Sequence, residues 1–327
     1  MASGRIVVIT GASSGIGRAT ARAFAGTGAG LVLCARADER LEEVEAECAQ
    51  AGARVVAVEA DVSRPEDVVL LAQRAIEVFG GFDVWVNNAG VIAFGRIDET
   101  PAEDHEQVIR TNLCGCLFGA REAVRHFRAR GRGIVINVSS LVSHLGQSLS
   151  TAYTASKWGV NGLGQALRAE LADASGIHVC TVMPAYIDTP LFEHGANYTG
   201  HEAKPVSPVY PPERVAQAIV GLVDRPQAEI MVGDVGRVLA ASHAVMPELT
   251  NRMMAGQIES WQFTDRPRGP SSGNLHLAGG DTAVAGGWQE RVAVHGDTFD
   301  TALRGLALGT LVVAGAVAAA GLWRARH

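Results

Sequence analysis

Residues 5–17 of the chain have the sequence RIVVITGASSGIG, and this stretch decides the fold. Residues 5–10 form a short, mostly apolar run, which is typical of a strand covered on both faces of a sheet. The turn that follows carries Gly11, Gly15 and Gly17 and opens a helical pattern. Gly11 allows a sharp turn, Gly15 lets the backbone approach a pyrophosphate, and Gly17 permits close packing of the helix. A strand, a glycine-rich turn and a helix N-terminus in this order predict a nucleotide site; a plain tight connection is the alternative.

The same alternation of strand and helix continues through the first 235 residues. The predicted strands are 5–10, 30–34, 54–59, 82–87, 133–138, 177–183 and 229–232. The predicted helices are 15–26, 37–51, 64–80, 102–130, 151–174 and 212–224, and Ser63 with Glu66 predicts a capping box before the third of them. Repeated strand–helix units predict an α/β fold with a doubly wound parallel sheet, Rossmann-type, as a single domain over residues 1–240.

Composition and charge exclude several classes of protein. The 327 residues are 47% hydrophobic and 19% charged, which excludes intrinsic disorder. The net charge of −6 argues against a nucleic-acid partner, because such proteins normally show a basic face. Of the 28 basic residues 26 are arginine, and the two lysines are Lys157 and Lys204.

The cysteines and the N-terminus indicate a reducing compartment. The chain has five cysteines, an odd number, and most lie in apolar runs, which is typical of buried reduced thiols. Cys114 and Cys116 are one residue apart, but no second pair or histidine cluster accompanies them, so we predict no metal site. The N-terminus lacks the layout of a signal peptide, and we expect the domain to lie in the cytoplasm.

Tyr153 and Lys157 stand four residues apart in the predicted helix 151–174 and therefore share one face. A tyrosine hydroxyl has an ordinary pKa of ~10 and is a poor base at neutral pH. A neighbouring ammonium stabilises the phenolate and lowers that pKa. Because this chain uses arginine for almost every positive charge, a lysine here indicates a need for a compact ammonium, which can also bind a ribose. The pair is a candidate acid/base; an exposed tyrosine beside a solvated lysine is the alternative.

Six motifs in order give the chain a resemblance to the short-chain dehydrogenase/reductase family over about residues 3–235. They are the turn 10–17, Asn-Asn-Ala-Gly at 87–90, Asn112, Ser140, Tyr-Thr-Ala-Ser-Lys at 153–157, and Pro-Ala-Tyr-Ile-Asp-Thr-Pro at 184–190. The resemblance implies a Rossmann-type fold and transfer of a hydride between a nicotinamide cofactor and an alcohol or carbonyl carbon.

The resemblance also implies four catalytic residues. Tyr153 is the acid/base, and Lys157 lowers its pKa and holds the ribose of the cofactor. Ser140 orients the substrate oxygen, because it precedes Tyr153 by the 13 residues found in the family; Ser139 is the alternative. Asn112 supports a proton relay through water to Lys157, and a buried structural asparagine is the alternative.

The cofactor-binding residues are implied in the same way. Asp61 lies at the adenine with Val62 beside the ring, residues 88–90 line the adenosine side, and Thr189 contacts the carboxamide. The full set is Gly11, Ser13, Ser14, Gly15, Ile16, Gly17, Arg36, Asp61, Val62, Asn88, Ala89, Gly90, Tyr153, Lys157 and Thr189.

Arg36 at the end of the second strand predicts the choice of cofactor. An acidic residue there would bind the ribose 2′-hydroxyl of NAD(H) and repel a 2′-phosphate. Arg36 stands where the family carries that acid, and a guanidinium pairs well with phosphate. Ser13 adds a hydroxyl. We therefore expect NADP(H) rather than NAD(H); a surface arginine paired with Asp38 or Glu39 is the alternative.

Residues 185–210 have little periodicity and are predicted to form a lid over the substrate; a structureless loop is the alternative. The family usually has glycine where this chain has Ala185, and an alanine there would be strained if φ were positive. The candidate lining residues indicate an apolar carbonyl or alcohol substrate; they are Tyr186, Leu191, Phe192, Tyr198, Val142 and Leu145.

Beyond the catalytic domain, residues 241–304 are polar and glycine-rich and are predicted to be an extension or linker. Residues 305–323 form an uncharged apolar run of about 28 Å as a helix, with Trp323 at one end. This predicts a single membrane helix that anchors the catalytic domain on the cytoplasmic side; a helix buried in an oligomer is the alternative.

Taken together, these patterns predict an NADP(H)-dependent oxidoreductase acting on a small apolar carbonyl or alcohol, with neither a metal nor a nucleic acid. The alternative is a non-catalytic NADP(H)-sensing or scaffold protein on the same fold, which would have no need of Asn112, Ser140, Tyr153 and Lys157 together. The resemblance also implies a homodimer or homotetramer built on the helices 102–130 and 151–174.

Overall fold

The computed structural model describes residues 4–36, 38–248, 250, 252, 260–279 and 282–292. Within them the strands are β1 (Ile6–Thr10), β2 (Gly30–Ala35), β3 (Val55–Glu59), β4 (Val84–Asn87), β5 (Ala93–Phe94), β6 (Gly133–Val138), β7 (Ile177–Pro184), β8 (Ala196–Asn197), β9 (His201–Ala203), β10 (Glu229–Val232) and β11 (Phe263–Pro267). Seven of these described strands pair in parallel in one sheet, in the order β10-β7-β6-β4-β1-β2-β3. All seven predicted strands are in this sheet, with ends within two residues of the prediction.

The strand order reverses at β1, which places the glycine-rich turn at the switch point of the sheet. β1 pairs with β2 on one side, Thr10 opposite Cys34, and with β4 on the other, Ile9 opposite Val86. The next strand beyond β2 is β3, and the next beyond β4 is β6. Crossovers therefore leave β1 toward opposite edges and open a crevice at its carboxyl end, where ligands bind in open α/β sheets.

Helices cover both faces of the sheet. They are α1 (Gly15–Ala25), α2 (Asp38–Gln50), α3 (Pro65–Phe79), α4 (Ala102–Ile109), α5 (Gly115–Arg130), α6 (Thr151–Glu170), α7 (Leu191–His194), α8 (Pro212–Asp224), α9 (Asp234–Val245) and α10 (Trp288–Val292). One core joins the sheet to α1, α2 and α8 around Phe24, and the other joins it to α3 and α5 around Trp85 and Phe127. The doubly wound prediction is confirmed, because both faces of the parallel sheet are buried.

The predicted helix 102–130 is not one continuous α-helix. α4 and α5 are joined by a π-helical turn, Arg110–Cys114, and Asn112 lies in this turn. A π-helical turn inside an α-helix widens the hydrogen-bonded ring by one residue, which turns the side chains locally and is frequent at functional sites. The residue pattern did not predict the turn, because apolar periodicity alone does not distinguish it from an α-helix.

The predicted capping box before α3 is wrong. The residue at the N-cap of α3 is Arg64, not Ser63, and no side chain caps the helix there. The Ser63 backbone N–H donates to Asp61 Oδ1 at 2.9 Å, and Glu66 accepts from Arg64 Nε at 3.0 Å. In this turn it is therefore the Asp61 carboxylate, and not the Ser63 hydroxyl, that accepts a hydrogen bond from a backbone N–H.

The segment 185–210 and the extension are joined at the carboxyl edge of the sheet. β5 pairs with β8 in parallel, and β9 pairs with β11 in antiparallel fashion. β11 belongs to the predicted extension, so the stretch 260–267 lies against the predicted lid. An apolar cluster around Phe94, Phe192 and Trp288 fills the space between them.

Among the described residues, no helix has both the length and the apolar character that a membrane span requires. The predicted membrane helix 305–323 lies outside the described residues, as does the end of the extension from residue 293.

Candidate active site

A cavity of about 240 Å³ opens at the carboxyl ends of β1, β4 and β6. It runs from the glycine-rich turn and Arg36 to Ser140 and Tyr153. Nearly all predicted site residues line it: Gly11, Ser13, Ser14, Gly15, Ile16, Arg36, Asp61, Val62, Asn88, Ala89, Gly90, Ser140, Tyr153, Lys157 and Thr189. Gly17 and Asn112 lie behind this lining.

The glycine-rich turn is held by tight backbone contacts that exclude side chains. Gly11 has φ +64°, and a Cβ there would lie 2.7 Å from Ala89 Cα. A Cβ on Gly17 would overlap the carbonyl oxygen of Gly11. Gly17 therefore makes room for the turn itself, rather than only for packing of the helix on the strand. The result is a shallow cradle of backbone amides at the N-terminus of α1, which suits a pyrophosphate.

Asn88 fixes the other side of this cradle. Its Nδ2 donates to the carbonyl oxygens of Thr10 at 2.9 Å and Gly11 at 3.1 Å. The Thr10 hydroxyl accepts from the backbone amides of Asn88 at 3.0 Å and Ala89 at 3.1 Å. These bonds lock the end of β4 to the end of β1, so Asn88 positions the turn as well as lining the cavity.

The structure separates the two candidate serines. Ser139 is buried, and its hydroxyl donates to the carbonyl oxygen of Lys157 at 3.0 Å. Ser140 is the N-cap of a 3₁₀ turn, Leu141–Ser143, where its hydroxyl accepts from Val142 N at 3.4 Å, and it lines the cavity together with Tyr153. Of the two, Ser140 is therefore the serine available to a substrate oxygen.

Tyr153 lies in the first turn of α6 with its hydroxyl in the cavity. Burial raises its pKa above the usual 10.0, and the hydrogen bond with Ser140 partly opposes this. The sequence predicted the opposite direction, through Lys157; in this structure burial dominates, because the apolar cluster around Tyr186 and Phe192 surrounds the phenol. The phenol is therefore a proton donor at neutral pH.

Lys157 is buried, with 4% of its surface exposed. Its Nζ donates to the carbonyl oxygen of Val138 at 3.0 Å and lies 5.6 Å from the centre of the Tyr153 ring. Burial lowers the pKa of Lys157 to about 8. The i, i+4 spacing thus brings the ammonium and the phenol into one cavity, where low polarity strengthens their interaction.

Asn112 lies behind this pair and holds the segment that follows β4. Its Oδ1 accepts from the backbone N–H of Val91 at 2.8 Å, and its Nδ2 donates to Val91 O at 2.9 Å and Ser156 Oγ at 3.0 Å. A Cβ on Gly90 would lie 3.4 Å from Asn112 Oδ1 and 3.6 Å from Lys157 Nζ, so all three residues meet at one point. The side chain of Asn112 thus has a structural task, and the relay stays a prediction.

Arg36 has partners that the sequence did not predict. Its Nη1 donates to Leu275 O at 2.8 Å and its Nη2 to Asn274 O at 2.6 Å, both in the extension. A guanidinium has five N–H donors, so three remain for a ligand. Asn274 lines the cavity beside Arg36, and its Oδ1 is buried without a hydrogen-bond partner within the described residues.

The extension contacts the borders of the cavity from Arg36 to Asp188, and residues 274–289 without 280–281 are called the strap below. Beyond Arg36, the Gly15 backbone N–H donates to Ala283 O at 3.0 Å. At the far end the Asp188 carboxylate accepts from the backbone amides of Trp288 at 2.8 Å and Gln289 at 3.3 Å. The strap therefore lies beside the site from Arg36 to Asp188. No local pattern in the sequence of the strap predicted this position.

A further anchor of the strap involves Asp104 on α4, which is 2% exposed. His276 Nε2 lies 2.6 Å from Asp104 Oδ1, and the Tyr198 hydroxyl donates to Asp104 Oδ2 at 2.5 Å. Tyr198 therefore helps to hold the Asp104 carboxylate that binds the strap. It does not line the cavity, in contrast to the prediction for the lid. Val142, Tyr186, Leu191 and Phe192 do line it, and Leu145 packs in the apolar cluster behind them.

Ala185 shows no backbone strain. Within the described part of the chain, Leu149 is the non-glycine residue with positive φ, so the conformation of Ala185 is open to any residue. Its methyl group lies where a Cβ on Gly233 would come within 2.8 Å. The family's glycine is thus replaced by an alanine whose methyl group occupies the space left by Gly233.

Known proteins are similar to this chain in both sequence and fold. The model of the short chain dehydrogenase family matches residues 5–197. The oxidoreductase YxnA of Bacillus subtilis is 36% identical over 98% of this chain and 91% of its own length, so the similarity runs through the extension. The cis-4-hydroxycyclohexanecarboxylate dehydrogenase of Sinomonas cyclohexanicum is 38% identical over 67% of this chain and 88% of its own. The 3beta-hydroxysteroid dehydrogenase 1 of Eggerthella lenta is 37% identical over 70% of this chain and 90% of its own length.

A solved structure gives the same result. The alcohol dehydrogenase of Thermococcus sibiricus, in complex with 5-hydroxy-NADP, is 30% identical, covers 69% of this chain and 95% of that one, and has a TM-score of 0.61. The sequence similarity, the fold and the position of the cavity at the switch point of the sheet all indicate the same family. The chain belongs to the short-chain dehydrogenase family, oxidoreductases that transfer a hydride between a nicotinamide cofactor and an alcohol or carbonyl group.

Proposed function

We propose that this protein is an NADP(H)-dependent oxidoreductase that interconverts an apolar ring alcohol and its ketone. The observation that carries the proposal is the meeting of Ser140, Tyr153 and Lys157 in one cavity with the glycine-rich turn. A non-catalytic sensor would need the turn and Arg36, but it would not need a phenol, a hydroxyl and a buried ammonium lining one cavity.

Each of the three side chains has a distinct task. Tyr153 gives its proton to the substrate oxygen during reduction and takes it back during oxidation, which its raised pKa suits in the reductive direction. Ser140 hydrogen-bonds the same oxygen and fixes the distance to Tyr153. Lys157 places positive charge beside the phenol and stabilises the phenolate that remains after the proton has left.

The cavity also fits the cofactor that the family implies. Gly11 and the backbone amides at the start of α1 would hold the pyrophosphate, apart from the Gly15 amide, which already donates to Ala283 O. Asp61 and Val62 would hold the adenine, and Lys157 would hold the ribose beside Tyr153. When bound, the nicotinamide donates or accepts the hydride. Arg36 would pair with a 2′-phosphate through the donors that the strap leaves unused, which supports NADP(H) over NAD(H).

The relatives support a ring alcohol as substrate. Two of them are named for hydroxyl groups on saturated rings, a cyclohexane ring and a steroid. In this chain the walls next to Tyr153 are apolar and include Val142, Tyr186, Leu191 and Phe192. We propose the same class, with the substrate bound by apolar contact along these walls.

A direct test is to follow oxidation of NADPH with a panel of saturated ring ketones, and reduction of NADP⁺ with the matching alcohols. The proposal expects turnover with at least one pair. NADPH binding by calorimetry without turnover across the panel would favour the sensor or scaffold alternative.

Replacing Arg36 with aspartate is expected to invert the cofactor preference. The change removes a phosphate partner and adds an acceptor for the ribose 2′-hydroxyl. The measurement is kcat/KM with NADPH divided by kcat/KM with NADH, and we expect this ratio to fall from above one to below one. If the ratio does not change, Arg36 does not contact the 2′-phosphate.

The matched control for this experiment is Arg36→Gln, because Arg36 also holds the strap. A glutamine amide can still donate to Asn274 O or Leu275 O but carries no charge. We expect Arg36→Gln to lose preference for NADPH without gaining NADH activity. If Arg36→Gln keeps the preference for NADPH while Arg36→Asp loses it, the loss comes from the strap rather than from the phosphate contact.

Ketone reduction is expected to lose rate as the pH rises through about 8, the pKa to which burial lowers Lys157. Below that pH both the Lys157 ammonium and the Tyr153 phenol hold their protons; above it the ammonium is lost, and kcat/KM falls about tenfold per pH unit. A profile that stays flat to pH 10 would contradict the role of Lys157.

This pH effect is separable from unfolding. The pKa of Lys157 is lower in the folded chain than the ordinary 10.5, so the unfolded chain binds more protons between about pH 8 and pH 10.5. The contribution of Lys157 to stability therefore rises with pH in that window. Thermal unfolding midpoints measured alongside the rates identify any loss that comes from unfolding.

The oligomer and the membrane anchor remain proposals. Leu117 on α5 and Trp158 on α6 are 45% and 47% exposed, which supports pairing of two copies through these helices.

To test the membrane anchor, cells expressing the full chain are compared with cells expressing a chain that ends at residue 300. We expect only the full chain to remain with membranes after a carbonate wash. Recovery of the full chain without detergent would contradict the anchor.

A further inference from the structure

Two glutamine side chains meet in the cavity that holds Tyr153, and neither belongs to the catalytic set. Gln147 Nε2 donates to Gln262 Oε1 at 2.9 Å, across 115 positions of sequence. Gln147 is 8% exposed and Gln262 is 1% exposed, and both line the cavity. Gln147 comes from the loop between β6 and α6, and Gln262 comes from the extension just before β11.

This pair leaves one hydrogen-bond acceptor and one donor group unused. Within the described residues, Gln147 Oε1 and Gln262 Nε2 have no hydrogen-bond partner. If the oxygen and nitrogen positions of both amides were exchanged, one carbonyl oxygen and one NH₂ group would still be without a partner. Polar groups that are withdrawn from water are stabilised by partners, so a ligand group that both accepts and donates would be favoured here.

Part of the cavity wall is apolar. Leu141, Tyr186 and Phe192 line the same cavity and form a buried cluster, against which Tyr153 and Phe263, the chain neighbour of Gln262, are packed. The arginine and lysine among the described cavity residues are engaged elsewhere, Arg36 with the strap and Lys157 with Val138 O. The backbone N–H of Lys204 donates to Gln262 O at 2.7 Å, but Lys204 is not part of the cavity lining. Within the described residues, neither glutamine side chain is hydrogen-bonded to a charged group.

Resting on the proposed function, we propose that Gln147 and Gln262 form a specificity subsite for a hydroxyl group of the substrate, at a ring position other than the reacting carbon. A hydroxyl accepts from the free NH₂ and donates to the free carbonyl oxygen, so it satisfies both. A carboxylate only accepts and brings a charge that nothing at the pair compensates. The preferred substrate is a ring ketone or alcohol that carries one further neutral hydroxyl.

The test compares matched ketones of two sizes. The single-ring series is 4-hydroxycyclohexanone, 4-methylcyclohexanone and 4-oxocyclohexanecarboxylate. The four-ring series is a saturated 3-ketosteroid with and without a 17-hydroxyl. In at least one size we expect kcat/KM to be about tenfold higher for the hydroxylated ketone than for its apolar match, and lowest for the carboxylate.

Variants assign the preference to the pair. Gln147→Met and Gln262→Met keep the length of each side chain and remove its polar group. Each is expected to lower the hydroxyl-to-apolar ratio of kcat/KM to about one. Gln165→Met on the exposed face of α6 is the matched control and should keep the ratio of the unmodified chain. The ratio is the readout, and unfolding midpoints identify a variant that does not fold.

The outcomes separate this proposal from the proposed function. If no ketone is reduced, the proposed function fails, and the subsite is then judged by the rise in unfolding temperature that each ketone produces. If ketones are reduced but neither size shows a preference for the hydroxyl, the subsite is overturned. A preference that survives in both Gln147→Met and Gln262→Met overturns it as well.

Discussion

Tyr153→Phe is expected to reduce kcat/KM for ketone reduction by about 10²–10⁴-fold, the usual contribution of a positioned acid/base. The variant removes one oxygen atom and leaves the ring in its apolar surroundings next to Tyr186 and Phe192. We therefore expect NADPH binding to stay within a few fold, because the glycine-rich turn and Arg36 are untouched. The measurement is steady-state reduction together with the Kd of NADPH from nicotinamide fluorescence.

The matched control is Tyr210→Phe, which also removes a phenolic oxygen. The Tyr210 hydroxyl accepts from the backbone N–H of Asp234 at 3.1 Å, at the start of α9 and away from the cavity lining. Its loss affects stability rather than the chemical step. If Tyr153→Phe keeps more than a few per cent of the activity, the acid/base is another group.

Lys157→Arg is expected to lower kcat/KM by about 10²-fold or more although it keeps the positive charge. The ammonium is 4% exposed, donates to Val138 O at 3.0 Å and lies close to Gly90. A planar guanidinium is larger and cannot occupy this space without displacing Tyr153 or the ribose site. Because the charge is retained, the experiment distinguishes a positioned ammonium from a general electrostatic effect.

The chain offers a matched control in its other lysine. Lys204 lies in the segment that pairs with the extension, and it is not part of the cavity lining. Lys204→Arg makes the same chemical change, and we expect kcat/KM within about twofold of the unmodified chain. Near-normal activity of Lys157→Arg would mean that this position needs only a positive charge.

The strap changes how the cofactor site is understood. The family resemblance predicts that Arg36 contacts a 2′-phosphate, whereas the structure shows two of its donors on backbone carbonyls of the strap. Under the proposed function Arg36 would have both tasks, and a single substitution cannot separate them. This is why the aspartate and glutamine variants of Arg36 are needed together.

Sequence alone determined the sheet and the order of the motifs along it. Each strand of the sheet is a short apolar run, and burial on both faces leaves that pattern in the residues themselves. The spacing of Tyr153 and Lys157 is equally local, since one helical turn fixes it. Such features are predictable because their cause lies within a few residues of the chain.

Tertiary structure alone decided which side chains share the cavity and what each is bonded to. Ser139 and Ser140 have the same local sequence, and the carbonyl of Lys157, 18 positions away, distinguishes them. The contact of Arg36 with Leu275 spans 239 positions, and the Gln147–Gln262 pair spans 115. No periodicity encodes such pairings, because they depend on which surfaces remain exposed after the two cores have formed. The place of the extension at the site is set by its hydrogen bonds with Arg36, Gly15 and Asp188 and by the pairing of β11 with β9. These partners come together only in the folded protein.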